Sequence, residues 1–320
     1  MRRIRRAGIR LLVVGAVCAG LASCGGSGGS TVRPADAGGA AGDFAKVVAS
    51  SNVDAVRYLY PTTTGSRDDK QNWADLFLPK GELPDQSVPL VILVHGGAWQ
   101  AQIGADSFVT FARRLAERGL AVLNIEYRRV GSGGGWPTTF KDVAAALDFV
   151  PEIEEAVPAI DARHAVVVGH SAGGQLAMWA GTRDRLHANE VGADPKFDPS
   201  SAISLAGPLD MRQAVVMGDD RIVGALGGTP QQVPDRYASV DPIQNIDRSM
   251  PVIAMAGSRD TVVPPVLSQN YVKAATAAGD DARFVLVAGA DHPSIVDPSA
   301  PTFQLVLETI SRSAHDAARR

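Results

Sequence analysis

The sequence predicts an α/β fold: one mostly parallel central sheet with helices on both faces and a small cap-like insertion. Three observations carry that expectation. Apolar runs of strand length alternate with helix-like stretches of roughly 10 to 15 residues, the spacing of right-handed crossovers between parallel strands. The strongest run, "PLVILVHGG" at Pro89–Gly97, is apolar throughout rather than at every second position, as in a strand covered on both faces. Polar residues able to do chemistry stand directly after such runs, where an open parallel sheet places its ligand site.

Along the chain, the folded part is expected to start near Phe44 or Val53. "VRYLY" (56–60) and "ADLFLP" (74–79) read as two early strands, followed by the buried run at Pro89. From Ser107 to Arg118, Phe108, Phe111, Ala112 and Leu115 recur at helical spacing, and Gly119 stops the helix. "LAVLNIEY" (120–127) returns to strand. Pro137 to Val150 is helical, with Phe140, Val143, Ala144 and Leu147 on one face. "HAVVVG" (164–169) is a strand that runs straight into a helix-like segment. "SAISLAG" (201–207), "PVIAMAG" (251–257) and "RFVLVAG" (283–289) complete the strands, with helices over Val266–Ala278 and Pro301–Ser313. Pro208 to Met250, rich in Gly, Pro and Asp, breaks the alternation and reads as a cap or lid between strands.

Ahead of the domain, Arg2, Arg3, Arg5, Arg6 and Arg10 precede an apolar run, Leu11–Ala22, too short to span a bilayer comfortably. This is the pattern of a secretory signal peptide over residues 1–23. "LASC" at 21–24 resembles the lipobox of bacterial lipoproteins, which implies a lipid on Cys24, the membrane as a partner through that lipid, and an extracytoplasmic place in the cell envelope. The alternative is an ordinary cleaved leader with a chance cysteine. Residues 24–42, rich in Gly, Ser and Ala, read as a flexible tether with an r.m.s. reach of about 20 to 25 Å. Cys18 lies in the leader, so the mature domain has no disulfide and no cysteine-based metal cage. Removing the leader leaves 26 basic against 34 acidic residues, a balance of −8, which argues against a nucleic-acid partner.

The chemistry centres on "VVVGHSAGGQLA" (166–177), a Gly-x-Ser-x-Gly pattern between a strand-like and a helix-like run. In one reading Gly169, Gly173 and Gly174 loosen a turn and Ser171 merely caps the helix. In the other the glycines let strand and helix pass so closely that Ser171 is left exposed in a strained turn as a nucleophile. The second reading needs partners. A serine hydroxyl is a weak nucleophile, so a base must take its proton, and an acid must orient that base. His292 follows the run "FVLVAGA" and Asp260 follows "VIAMAGSR", giving serine, acid and histidine in chain order. Charge developing on a substrate oxygen needs donors in place: the Ala172 amide at the helix start, and amides of Gly96 and Gly97. Trp99 is a candidate for the substrate cleft, with plain packing as its alternative. His95 is expected to brace the glycine loop, His170 to pack away from the nucleophile, and His164, His187 and His315 to lie on the surface. No H-E-x-x-H pattern and no phosphate loop is present, so neither metal nor cofactor is expected.

"HGGAW" (95–99), "GHSAGG" (169–174), "GSRDTVVP" (257–264) and "ADH" (290–292) together resemble the α/β-hydrolase superfamily, esterase/lipase branch, from about Val53 to the end. "HGGAW" with "LGGTPQQVPDRYASVDPI" (226–243) is similar to the subgroup of feruloyl/acetyl-xylan esterase-like and kynurenine formamidase-like hydrolases. The resemblance implies an α/β-hydrolase fold, a triad of Ser171, Asp260 and His292, and hydrolysis of a small carboxylic ester through an acyl-enzyme. Two alternatives stand beside it: amide, formamide or peptide hydrolysis by the same triad, and a binding lipoprotein that keeps the hydrolase shape without turnover. Ala98 stands where enzymes of the HGGG type have a third glycine, so the second oxyanion donor is Gly96 or Gly97, with Gly97 favoured. Asp260 could instead cap the helix near Pro264, leaving Asp291 or Asp210 to orient the histidine.

Overall fold

The computed structural model describes residues 52–63 and 65–319. The expected leader, Cys24, the tether over 24–42 and the alternative start at Phe44 lie outside the described residues.

Eight strands form one sheet in the order β1-β2-β4-β3-β5-β6-β7-β8. They are β1 (Val53–Leu59), β2 (Trp73–Pro79), β3 (Val88–Val94), β4 (Ala121–Ile125), β5 (Ile160–His170), β6 (Ser201–Leu205), β7 (Val252–Gly257) and β8 (Ala282–Val287). β2 runs antiparallel to both β1 and β4, and every pairing from β4 across to β8 is parallel. All seven residues of β3 are buried, as its unbroken apolar run requires. Alternation then sorts them: Leu90, Ile92 and Val94 join the core on one face, while Val91 and Leu93 join the core on the other. Each such side chain contributes about 1.5 to 3 kcal/mol by leaving water. β8 is an edge strand and is only partly covered, with Leu286 left 48% exposed.

Helices cover both faces. α1 (Val109–Ala116), preceded by a 3-10 turn at Ala105–Phe108, and the last helix share one core, where Phe108 and Phe111 meet Phe303, Val306 and Ile310. α2 (Thr138–Asp148), α3 (Val150–Ala156) and α4 (Ala172–Ala180) lie on the other, with Phe140 edge-on to Trp179 at 5.2 Å. The segment between β6 and β7 forms α5 (Met211–Val216), α6 (Asp220–Leu226) and α7 (Pro234–Val240). Asp210 and Asp219 cap α5 and α6 by accepting from the Gln213 and Arg221 amides, and Gly227, at φ 72°, ends α6. Aspartate and glycine are therefore punctuation for three short helices there, too short to show a period in the sequence. α8 (Pro265–Ala278) and α9 (Phe303–Ala317) complete the chain.

Several boundaries differ from the sequence expectation for local reasons. The helix expected to run to Val150 ends at Asp148, and α3 begins anew with Pro151 in its first turn, where a missing N–H costs nothing. β5 starts four residues before "HAVVVG", its register against β3 shifting between Pro89 and Val91. β4 stops at Ile125, which frees Glu126 and Tyr127 from the strand. Among the described residues no helix is long and apolar enough to cross a membrane.

Candidate active site

The parallel strands put the ends of β3, β4, β5, β7 and β8 on one rim, and every sequence-predicted site residue of the described chain follows one of them. β5 ends at His170 and α4 begins at Ala172, so Ser171 alone makes the turn, at φ 55° and ψ −122°. A side chain at that φ is strained, and the strain is held by its surroundings. The Ser171 amide donates to the Leu205 carbonyl at 2.8 Å, and its own carbonyl accepts from the Gly174 amide at 2.8 Å. The crossing is tight enough that a Cβ on Gly173 would overlap the Val94 and His95 carbonyls, and one on Gly169 the Gly173 carbonyl. The Ser171 hydroxyl caps no amide of α4.

That hydroxyl points elsewhere. His292, on the loop after β8, brings Nε2 to 2.9 Å from Ser171 Oγ, and its Nδ1 lies 2.8 Å from Asp260 Oδ2. The other Asp260 oxygen accepts from the Val262 and Val263 amides, both at 2.9 Å. Burial by itself would raise this carboxyl, but the bonds from His292 and the Val263 amide outweigh it and hold it below its ordinary value. The carboxylate thus both closes its own loop and faces the imidazole. Asp291 is spent on the Ser294 amide at 3.1 Å, and Asp210 on Gln213 and Asn270.

Gly96 and Gly97 follow β3 beside the serine: a Cβ on Gly96 would stand 3.2 Å from Ser171 Cβ. Gly97 at φ 110°, then Ala98 and Trp99 both at 57°, give the loop three consecutive residues in the left-handed region. Trp99 is 2% exposed, with its indole Nε1 unpartnered, so in this structure it packs inside the molecule. His95 beneath the loop is wholly buried, stacked on Tyr127 at 4.3 Å, with Nδ1 2.7 Å from the Gly96 carbonyl and Nε2 3.0 Å from Glu126 Oε1. Tyr127 Oη donates to the His95 carbonyl at 2.8 Å. Arg129 Nη1 donates to Glu126 Oε1 at 2.6 Å and to the Ile103 carbonyl at 2.8 Å. Burial would raise the Glu126 carboxyl, but His95 and Arg129 together outweigh it and pull it below its usual value.

Sequence reasoning missed Glu126 and Arg129. Their signal was present: charged residues immediately after the apolar run of β4, where a strand-end position with no water nearby demands partners. It also expected His170 to pack away from the nucleophile. The ring lies 4.8 Å, centroid to centroid, from the ring of His292, a neighbour that the expectation did not foresee. Among the described residues no group of His, Cys, Asp or Glu is placed to hold a metal ion.

A family model, BD-FAE, matches residues 74–274, which contain Ser171 and Asp260. The esterase LipC of Mycobacterium tuberculosis is 27% identical over 280 residues, 82% of this chain and 68% of that protein. Kynurenine formamidase of Danio rerio is 24% identical over 75% of this chain and 78% of its own length, whereas the chain spans only 53% of the esterase LipQ of M. tuberculosis at 25% identity. Among solved structures, a truncated carbohydrate esterase from gut microbiota matches 85% of this chain and 99% of its own, with a TM-score of 0.69 at 21% identity. Esterase B of Lactobacillus rhamnosis matches 86% and 91% with a TM-score of 0.69 at 18% identity. The sheet order, the turn at Ser171 and the span of the family match agree: this chain has the α/β-hydrolase fold and belongs to the BD-FAE family.

Proposed function

We propose that the protein is a serine hydrolase of small carboxylic esters. The observation that carries the reading is the line of two short bonds, 2.9 Å from Ser171 Oγ to His292 Nε2 and 2.8 Å from His292 Nδ1 to Asp260 Oδ2. Ser171 Oγ attacks the ester carbonyl while His292 Nε2 takes its proton, and the same proton passes to the departing alcohol as the tetrahedral intermediate collapses to an acyl-enzyme. Water, deprotonated by His292, then releases the acid and restores the hydroxyl. Asp260 holds the ring with Nε2 facing the serine and stabilises the imidazolium that forms. The Ala172 amide, at the start of α4, and an amide of the Gly96-Gly97 pair receive the oxyanion, each such donor contributing about 3 to 4 kcal/mol to the transition state. The esterases among its relatives support the ester as substrate.

The test replaces Ser171 with Ala and follows hydrolysis of a short p-nitrophenyl ester, with a fluorophosphonate probe as second readout. Turnover and labelling should both vanish while the fold is kept; unchanged turnover removes the reading. A formamidase among the relatives favours amide cleavage as a second reading, and side-by-side rates on matched ester and anilide substrates separate the two. Fluorophosphonate labelling of the wild type also separates both from a binding lipoprotein without turnover. The "LASC" segment supports a lipid on Cys24 and a place outside the cytoplasmic membrane. Replacing Cys24 with Ala should move the protein from the detergent phase to the aqueous phase on phase partitioning.

A further inference from the structure

We propose that His170, the free position of the Gly-x-Ser-x-Gly pattern, is a positioning residue that fixes the main chain of His292 and with it the direction of the catalytic imidazole. The proposal rests on the serine-hydrolase reading above. Its first observation is a bond: His170 Nε2 lies 3.0 Å from the carbonyl oxygen of His292 itself. The loop that carries His292 runs from Val287 to Phe303, and its internal bonds, such as Asp291 with Ser294, are local and exposed. The Arg259 amide on the Ala290 carbonyl at 2.9 Å and the buried Ile295 anchor this loop to the turn after β7 and to the core, but neither acts at the His292 carbonyl. The bond from His170 does, and it joins residues 122 positions apart.

The surroundings of the ring support the same role. His170 is 8% exposed, its ring tilted 39° to that of His292 on one side and 6.4 Å from that of Phe108 on the other. A Cβ on Gly96 would stand 2.8 Å from its Nδ1, so the glycine loop presses against the same ring. The ring is thus wedged between the loop that bears the oxyanion amides and the loop that bears the base. Burial, followed by the repulsion of His292, pushes the His170 ring down to about 3, although the His292 carbonyl and Asp260 act the other way. An uncharged ring with its proton on Nε2 donates to the carbonyl and adds no positive charge beside the imidazolium that forms on His292. A cation there would oppose that step.

The groups need not touch substrate for the effect to be large, because a misplacement of about 1 Å in a reacting group can lower turnover by about 100-fold. His170→Leu keeps a similar volume and removes the donor, whereas His170→Gln can set an amide N–H where Nε2 stands. On a p-nitrophenyl ester, His170→Leu is expected to lower kcat by at least about tenfold with KM within about twofold of the wild type, and His170→Gln to recover most of that loss. Equal kcat values for the two variants, or wild-type kcat in His170→Leu, overturn the proposal. An independent measurement needs no variant: in the 15N-histidine-labelled wild type, the long-range imidazole NMR spectrum should show His170 neutral, with Nε2 protonated. A His170 signal protonated at Nδ1 alone overturns the proposal even if His170→Leu does not fold. If the wild type neither turns over esters nor takes the fluorophosphonate, the hydrolase reading itself has failed, an outcome distinct from either of these.

Discussion

One carboxylate at the base of the sheet is buried in the opposite way from two at the rim. At the rim where the parallel strands end, Asp260 and Glu126 are 5% and 3% exposed and lie below their ordinary values, because His292 and main-chain amides face the first and His95, Arg129 and the Ala105 amide the second. At the base, Asp280, two residues before β8, is 6% exposed with no side-chain donor on either carboxylate oxygen, and burial followed by Asp247 pushes it up to about 6. Burial pushes all three the same way. What differs is the set of partners.

The comparison breaks most sharply if the rim carboxylate proves dispensable. Asp260→Asn should lower kcat on a short ester by about 10,000-fold with the circular dichroism spectrum unchanged. A loss under tenfold would hand its role to another acid. The next largest effect concerns the backbone that brings the rim together: Gly173→Ala drives a methyl into the Val94 and His95 carbonyls and should lower the melting temperature by about 5 to 10 °C. A variant that melts with the wild type shows that the crossing of β5 and α4 can relax.

Glu126→Gln leaves Arg129 buried with its charge half answered and should lower the melting temperature by roughly 3 to 6 °C near pH 7. Since the folded-state value is depressed, this stabilisation is present above the ordinary carboxylate value and fades as pH falls through the lower folded one, so the gap between variant and wild type should hold at pH 5 and close only below about pH 4. The base should behave in reverse. Asp280 is raised on folding, so its ionised form costs stability above about 6 and that cost is relieved on acidification. Asp280→Asn should therefore raise the melting temperature by about 2 °C at pH 7.5, by about half as much at pH 5, and by nothing measurable only below about pH 4. A destabilised variant at pH 7.5 would mean that the carboxylate has partners after all.

Much of this was legible before any coordinates. Strands such as β3 and β7 are buried on both faces and must be apolar throughout, so their bounds and the polar residues after them could be read directly. Ser171, Asp260 and His292 stood out because each follows such a run, and the structure brings all three within hydrogen-bonding reach in one line. The helices of the insertion were hidden because six or seven residues cannot show a period of 3.6. Trp99 had two readings from its place after a strand, cleft or packing; the residue is buried as the last of three left-handed residues in succession, and backbone reversals of that kind leave little mark on sequence. His170 was invisible for a different reason: its position in the pattern accepts many residues, and only the distance to the His292 carbonyl distinguishes a bond from packing.

The proposed nucleophile and its proposed base are protected unequally. Ser171 follows β5, which has neighbours on both sides, while His292 hangs from β8, which is paired along one side only and carries partly wetted side chains. A strand held by one ladder frays at lower free energy than one held by two. Warming should then silence the relay while the middle of the sheet is still intact, so the ceiling on working temperature is set by the grip on the outermost strand and not by the melting of the core.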